Sequence, residues 1–299
     1  MKLNVLKQAS LPDALTAELA RRYHLVELTA LTDADFRALA GTFTMLITNG
    51  EATVTRELIA SLPALELIAV FGVGYDGVDV QAAAEHQVRV SHTPGVLTDD
   101  VADLALGLML ATSRQIVAAH KFIEAGEWAA GGFPWTQKVS GSRVGIVGMG
   151  RIGQAIARRC EGFAMQIAYH DRKRLPALNY AWREDLLTLA AESDFLVICT
   201  PGTAANQGLI NQPVLAALGE KGILINISRG SVIDEPALVA ALENGIIAGA
   251  GLDVFSHEPA VPAGLLQRSN VVVTPHMASA TWSTRAAMAQ LVLDNVACW

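Results

Sequence analysis

VGIVGMGRIG, at residues 144–153, is the stretch from which the fold of this 299-residue chain is read. Val144, Ile146 and Val147 mark a buried strand. Gly148, Gly150 and Gly153 follow in G-x-G-x-x-G spacing, and IGQAIARRC at 152–160 switches to helical periodicity. Strand, glycine turn and helix in this order make a dinucleotide fingerprint. Gly148 permits the tight turn, Gly150 lets the backbone approach a pyrophosphate, and Gly153 lets the helix pack on the strand. The phosphates then meet the unpaired N–H groups and positive dipole end of the helix. A second strand, QIAYH at 166–170, ends at Asp171, 171 − 153 = 18 residues past the last glycine, where a ribose-binding acid is expected.

Downstream, strands are expected at 195–199, 222–226, 249–254 and 271–274, with helices at 185–190, 212–218 and 235–244. Six strands with crossover helices predict a doubly wound parallel sheet. Upstream, strands at 3–6, 43–48, 67–71 and 88–90 alternate with helices at 13–23, 58–62 and 80–86, a small α/β unit of its own. Its third strand runs into GVGYDG at 72–77, which is either a carboxylate cradle of exposed N–H groups or a plain strand-to-helix turn. Between the two units, residues 98 to about 125 read as one long helix, capped by Thr98 with Asp99 and Asp100 at its positive end. It is apolar over much of its circumference, as a helix bridging two domains or two subunits would be. The connection 126–141 carries Trp128, Phe133 and Trp135, read as an arm that grips a partner chain in preference to ordinary loop anchors. A last helix covers 281–298.

With 52% hydrophobic and 17% charged residues, the chain is globular and long enough for two domains. A net charge of −7 argues against a nucleic-acid surface, and the most apolar run, 104–112, is too short to span a membrane. Three scattered cysteines form neither a disulfide frame nor a zinc knot and fit a reducing cytoplasm, and no secretory signal is read at the start.

In a doubly wound fold, ligands sit beyond the carboxyl ends of the strands. Three polar clusters fall there: Ser228-Arg229-Gly230, Ser256-His257-Glu258-Pro259 and Thr274-Pro275-His276. Arginine offers a planar fork to a carboxylate or carbonyl. Histidine can donate a proton to oxygen as hydride reaches carbon, and a paired carboxylate favours and orients the imidazolium. Arg229, Glu258 and His276 are therefore the candidate catalytic set for reducing a 2-oxo acid. Taken singly, each has a plainer reading: a surface ion pair, a solvated loop acid and a buried structural histidine. His257 reads as a bystander, and His24, His86, His92 and His120 as structural. No metal site is indicated, since the H-E-x-x-H spacing is absent, and no G-x-S-x-G suggests a serine hydrolase.

The segments FGVGYDGVD (71–79), TPGVLTDDVADLALGLML (93–110), VGIVGMGRIG, INISRGSVIDEPALVAAL (225–242), GAGLDVFSHEP (249–259) and VVVTPHMASAT (271–281) together resemble the D-2-hydroxyacid dehydrogenase family. VLTDDVADLA is most similar to its glyoxylate/hydroxypyruvate and hydroxyphenylpyruvate reductase branch. The resemblance implies two Rossmann-like α/β domains with doubly wound parallel sheets. A discontinuous substrate-binding domain (1–93 and 277–299) would carry an inserted dinucleotide-binding domain (94–276), with a dimerisation helix and arm over about 98–141. It implies Arg229, Glu258 and His276 as catalytic residues, Val73 and Gly74 as N–H donors to the substrate carboxylate, and a homodimer. Two departures stand out. Ser256 occupies a position where a further acid is common, and members usually continue about a dozen residues beyond Trp299, so the tail reads as short.

The expected cofactor contacts are Gly148, Gly150, Arg151, Ile152, Gly153, Asp171, Arg172, Lys173, Thr200, Pro201 and Asp253. Asp171 would accept from a ribose 2′-OH and favours NAD, whereas the run Arg172, Lys173, Arg174 suits a 2′-phosphate and favours NADP. The branch tips the reading toward NADP. The expected activity is reduction of small 2-oxo acids, glyoxylate or hydroxypyruvate, to D-2-hydroxy acids. The alternatives are a nucleotide-sensing binding protein like the related corepressors, or a dehydrogenase for phosphoglycerate or phenyllactate.

Overall fold

The computed structural model describes residues 2–266 and 268–299, which form two compact units, Met1–Leu97 with Ala280–Trp299, and Thr98–Ser279. The divisions fall at 97/98 and 279/280 in place of the expected 93/94 and 276/277.

The first unit alternates β1 (Asn4–Lys7), α1 (Asp13–Arg22), β2 (His24–Glu27), α2 (Asp33–Leu39), β3 (Phe43–Asn49), α3 (Arg56–Ala60), β4 (Leu67–Phe71), α4 (Val80–Glu85) and β5 (Arg89–Ser91). Its five strands are parallel, in the order β2-β1-β3-β4-β5. All five residues of β4 are buried, as expected where helices cover both faces of a parallel sheet. Each large apolar side chain so buried contributes roughly 1.5–3 kcal/mol. Strand β2 and helix α2 escape the periodicity reading. HLVE at an edge is only half-buried, with a weak pattern, and α2 buries no residue fully, being announced chiefly by its Thr32 cap.

The second unit opens with α5 (Thr98–Ser113) and α6 (Ile116–Glu124). These replace the single helix expected over 98–125. They meet at 54°, because Gln115 adopts a left-handed conformation (φ 48°) that ends one helix and starts the next. There follow β6 (Arg143–Val147), α7 (Arg151–Gly162), β7 (Gln166–His170), β8 (Ala181–Trp182), α8 (Leu186–Ala191), β9 (Phe195–Ile198), α9 (Gln212–Leu218), β10 (Ile223–Asn226), α10 (Glu235–Glu243), β11 (Gly249–Leu252), α11 (Ala263–Leu266) and β12 (Val271–Val273). The sheet is parallel, β12-β11-β10-β9-β6-β7-β8, with two-residue β8 as a seventh strand where six were expected. Strand order reverses at β6 and β9, so their carboxyl ends frame the crevice where a dinucleotide binds in such folds. The final helix, α12 (Trp282–Ala297), packs on β4 and α1 of the first unit.

The segment expected to be an arm contains one short 3₁₀ turn, Glu127–Ala129. Trp128 is 67% exposed and Trp135 fully so, while Phe133 stacks edge-on against Phe122 of α6. Ile116, Val117 and Ile123 of α6 are also exposed.

Candidate active site

At the carboxyl end of β6 the glycine loop has the geometry its spacing requires. Gly148 has φ 93°, and a Cβ there would lie 2.8 Å from the Thr200 backbone nitrogen, in the loop that follows β9. A Cβ on Gly153 would lie 2.2 Å from the Gly148 carbonyl, which ties α7 tightly to the turn. The Cβ direction of Gly150 meets nothing within 4 Å, and no side chain caps α7 at this residue. Arg151, Ile152 and Gly153 therefore offer first-turn N–H groups and the positive dipole end to an anion. Thr200 and Pro201 are held by the Asn206 amide, which donates to the Thr200 hydroxyl (2.9 Å) and the Pro201 carbonyl (2.8 Å). Asp171 closes the far side, with exposed Arg172, Lys173 and Arg174 beyond it. The residues present thus fit a dinucleotide.

The three polar clusters follow β10, β11 and β12. Asn226, buried at the end of β10, shapes the first turn. Its amide donates to the Arg229 carbonyl (2.9 Å), and its carbonyl accepts from the Ser228 N–H and hydroxyl (3.0 Å each). A Cβ on Gly230 would lie 1.9 Å from the Phe255 carbonyl carbon, so this turn rests directly on the Glu258 loop. Glu258 Oε1 accepts the Phe255 N–H (2.9 Å), and Oε2 lies 2.7 Å from His276 Nδ1. That nitrogen donates to the carboxylate, which fixes the tautomer and orientation of the ring. Burial pushes the Glu258 carboxyl up. The His276 hydrogen bond, the Phe255 N–H and the charges of His276 and Arg229 outweigh it and hold the group below its usual value.

His276 has φ 50°, uncommon for a side-chain-bearing residue. Asp253 enforces it. The Asp253 carbonyl accepts the His276 N–H (2.8 Å), while its carboxylate accepts from Thr274 (2.6 Å), Met277 (2.8 Å) and Ala278 (2.9 Å). Fully buried, the Asp253 carboxyl is pushed up by desolvation, against these hydrogen bonds. Asp253, an expected cofactor contact, thus also clasps the His276 loop. His257 is exposed, and its carbonyl accepts the Ala260 N–H at 2.8 Å.

Glu235 was not singled out from the sequence, where an acid in a helix first turn reads as a dipole partner. It is 9% exposed, and its Oε1 accepts the Ser256 N–H at 2.7 Å. Two carboxylates, Glu258 and Glu235, therefore hold consecutive amides of one loop. Replacing Glu235 with Ala is expected to lower kcat about ten-fold with little change in KM, and E235Q, which keeps the acceptor, to recover most of it. Steady-state kinetics of the two variants check this.

In the first unit, the turn after β4 carries Val73 and Gly74, whose N–H groups have no acceptor among the described residues. The Val73 carbonyl accepts from His92 Nδ1 (2.9 Å), and the His92 ring meets Tyr75 edge-on at 5.0 Å. Asn295 of α12 donates to the His92 carbonyl at 3.4 Å. His92, read as structural with no visible partner, thus orients this cradle.

Residues 106–278 match the family model described as D-isomer specific 2-hydroxyacid dehydrogenase, NAD binding domain. The chain is 46% identical over 296 residues to hydroxyphenylpyruvate reductase of Plectranthus scutellarioides, covering 98% of this chain and 95% of that protein. It is 40% identical, with the same coverage, to a glyoxylate/hydroxypyruvate reductase A of Arabidopsis thaliana. Among solved structures, it is similar to the NADPH-dependent glyoxylate/hydroxypyruvate reductase of Sinorhizobium meliloti in complex with NADP and malonate. That match has a TM-score of 0.93 and 42% identity, covering 100% of this chain and 94% of that one.

Proposed function

The chain belongs to the D-isomer specific 2-hydroxyacid dehydrogenase family, within its glyoxylate/hydroxypyruvate reductase branch, and on that premise we propose that it reduces glyoxylate and hydroxypyruvate to D-2-hydroxy acids, with NADPH preferred to NADH. The observation that carries this reading is the 2.7 Å contact of His276 with Glu258, in a loop set that also holds Arg229.

Bound on the glycine loop, a reduced nicotinamide supplies the hydride. In the first unit, the N–H groups of Val73 and Gly74 suit a substrate carboxylate; in the second, the Arg229 guanidinium suits an acid and can polarise its 2-oxo oxygen. His276 Nε2 gives its proton to that oxygen as it gains charge. Glu258 stabilises the imidazolium and fixes the ring, remaining ionised itself. Asp253 and Asn226 keep the donor and the guanidinium in place, which spares reorganisation during the reaction.

The preference for NADPH rests on Arg172 and Lys173, exposed and without an ion pair among the described residues. Replacing Arg172 with Ala is expected to raise KM for NADPH about ten-fold and leave KM for NADH nearly unchanged. Equal effects on both cofactors would contradict the phosphate clamp. Initial rates with each cofactor against glyoxylate, hydroxypyruvate, pyruvate and phenylpyruvate test the substrate reading, which expects the first two to give the highest kcat/KM. The exposed apolar residues Ile116, Val117, Ile123, Trp128 and Trp135 support a homodimer formed through α6 and the arm.

A further inference from the structure

We infer that Asp171 is a positioning residue for the glycine loop and not the group that reads the adenosine ribose; this rests on the reading of the site as one for NADPH and assigns the choice of cofactor to Arg172 and Lys173. At the end of β7, the His170 carbonyl accepts the Gly148 N–H at 2.9 Å. One residue on, Asp171 Oδ2 accepts the Met149 N–H at 2.9 Å, and Oδ1 accepts the Arg172 N–H at 2.7 Å. The Met149 carbonyl in turn accepts from Gln154 Nε2 of α7 at 3.0 Å, and the Met149 side chain is 1% exposed. Met149 is thus tied on one side to β7 and on the other to α7. The backbone of Asp171 is fixed as well, its carbonyl accepting from Trp182 Nε1 of β8 at 3.3 Å.

The site needs such a tie. Met149 stands between Gly148 and Gly150, residues with wide conformational freedom, and a loop that must aim N–H groups at a pyrophosphate binds more weakly if it has to be ordered first. Each carboxylate oxygen of Asp171 accepts a backbone N–H, which offsets part of its charge, and Arg172, Lys173 and Arg174 follow in the exposed segment. An acid that reads a ribose discriminates between NADH and NADPH. An acid that holds the loop acts on the pyrophosphate region that both cofactors share.

The test is titration of the D171N variant with NADPH and with NADH, followed by cofactor fluorescence, alongside R172A. The inference expects D171N to raise both dissociation constants by the same factor, about ten-fold. Selective weakening of NADH, tightened binding of NADPH, or no change in either overturns it. R172A separates the two ideas: an equal effect on both cofactors overturns the NADPH reading and leaves the D171N result to be judged by itself. Should D171N fail to fold, hydrogen exchange in the cofactor-free native enzyme decides. Slow exchange of the Met149 amide is expected, and rapid exchange overturns the inference.

Discussion

Replacing His276 with Asn is expected to lower kcat for 2-oxo acid reduction by about 10²–10⁴-fold while leaving the affinity for NADPH unchanged. Asn suits the position for a backbone reason. His276 sits at φ 50°, and Asn is among the few residues that enter this left-handed region readily. The bonds from the His276, Met277 and Ala278 amides to Asp253 therefore persist in the variant. What is lost is the ring nitrogen that carries the proton. The deficit falls on kcat, since the interaction removed is one that strengthens as charge develops on the substrate oxygen. Binding of NADPH by fluorescence and single-turnover rates check the two halves of this expectation. Equal losses in affinity and rate would mean that the loop had moved.

Glu258→Gln is expected to have the next largest effect, lowering kcat about 10²-fold and moving the alkaline limb of the kcat/KM profile to lower pH. The sign follows from the 2.7 Å contact between the carboxylate and Nδ1. Reduction needs the imidazolium as proton donor, and a neighbouring carboxylate favours that form. The neutral amide of Gln removes the preference, so the donor loses its proton earlier as pH rises. The same residue predicts an effect on stability. The Glu258 carboxyl lies below its ordinary value in the folded chain, because its His276 and Phe255 hydrogen bonds and the neighbouring positive charges outweigh its burial. Its contribution is therefore present above the ordinary carboxylate value and is lost as pH falls through the depressed one. E258Q lacks that step, and thermal melts of both proteins across the acid range measure it.

Features set by short-range pattern were legible in the sequence. The spacing of Gly148, Gly150 and Gly153 identified the turn, and the strands expected at 222–226, 249–254 and 271–274, of which the last two end at Leu252 and Val273, pointed to the three loops that carry Arg229, Glu258 and His276. What escaped depends on partners far along the chain or on a single dihedral angle. The Glu235 bond to the Ser256 amide spans 21 residues, and the Asp171 bond to the Met149 amide spans 22. Neither acid differs locally from a solvated one. The break between α5 and α6 lies in the left-handed conformation of Gln115, a residue with ordinary helix propensity, so the apolar periodicity runs across it without a mark. Strand β2 is half-buried at an edge, where alternation is weakest.

The central claim is that Arg229, Glu258 and His276 direct hydride to the 2-oxo carbon and a proton to its oxygen. Its most direct test is reduction of hydroxypyruvate with NADPH deuterated at the transferring C4 position, followed by isolation of the product. The mechanism predicts D-glycerate carrying one deuterium at C2. An L product, deuterium absent from C2, or no oxidation of NADPH or NADH with any of the four oxo acids would contradict it.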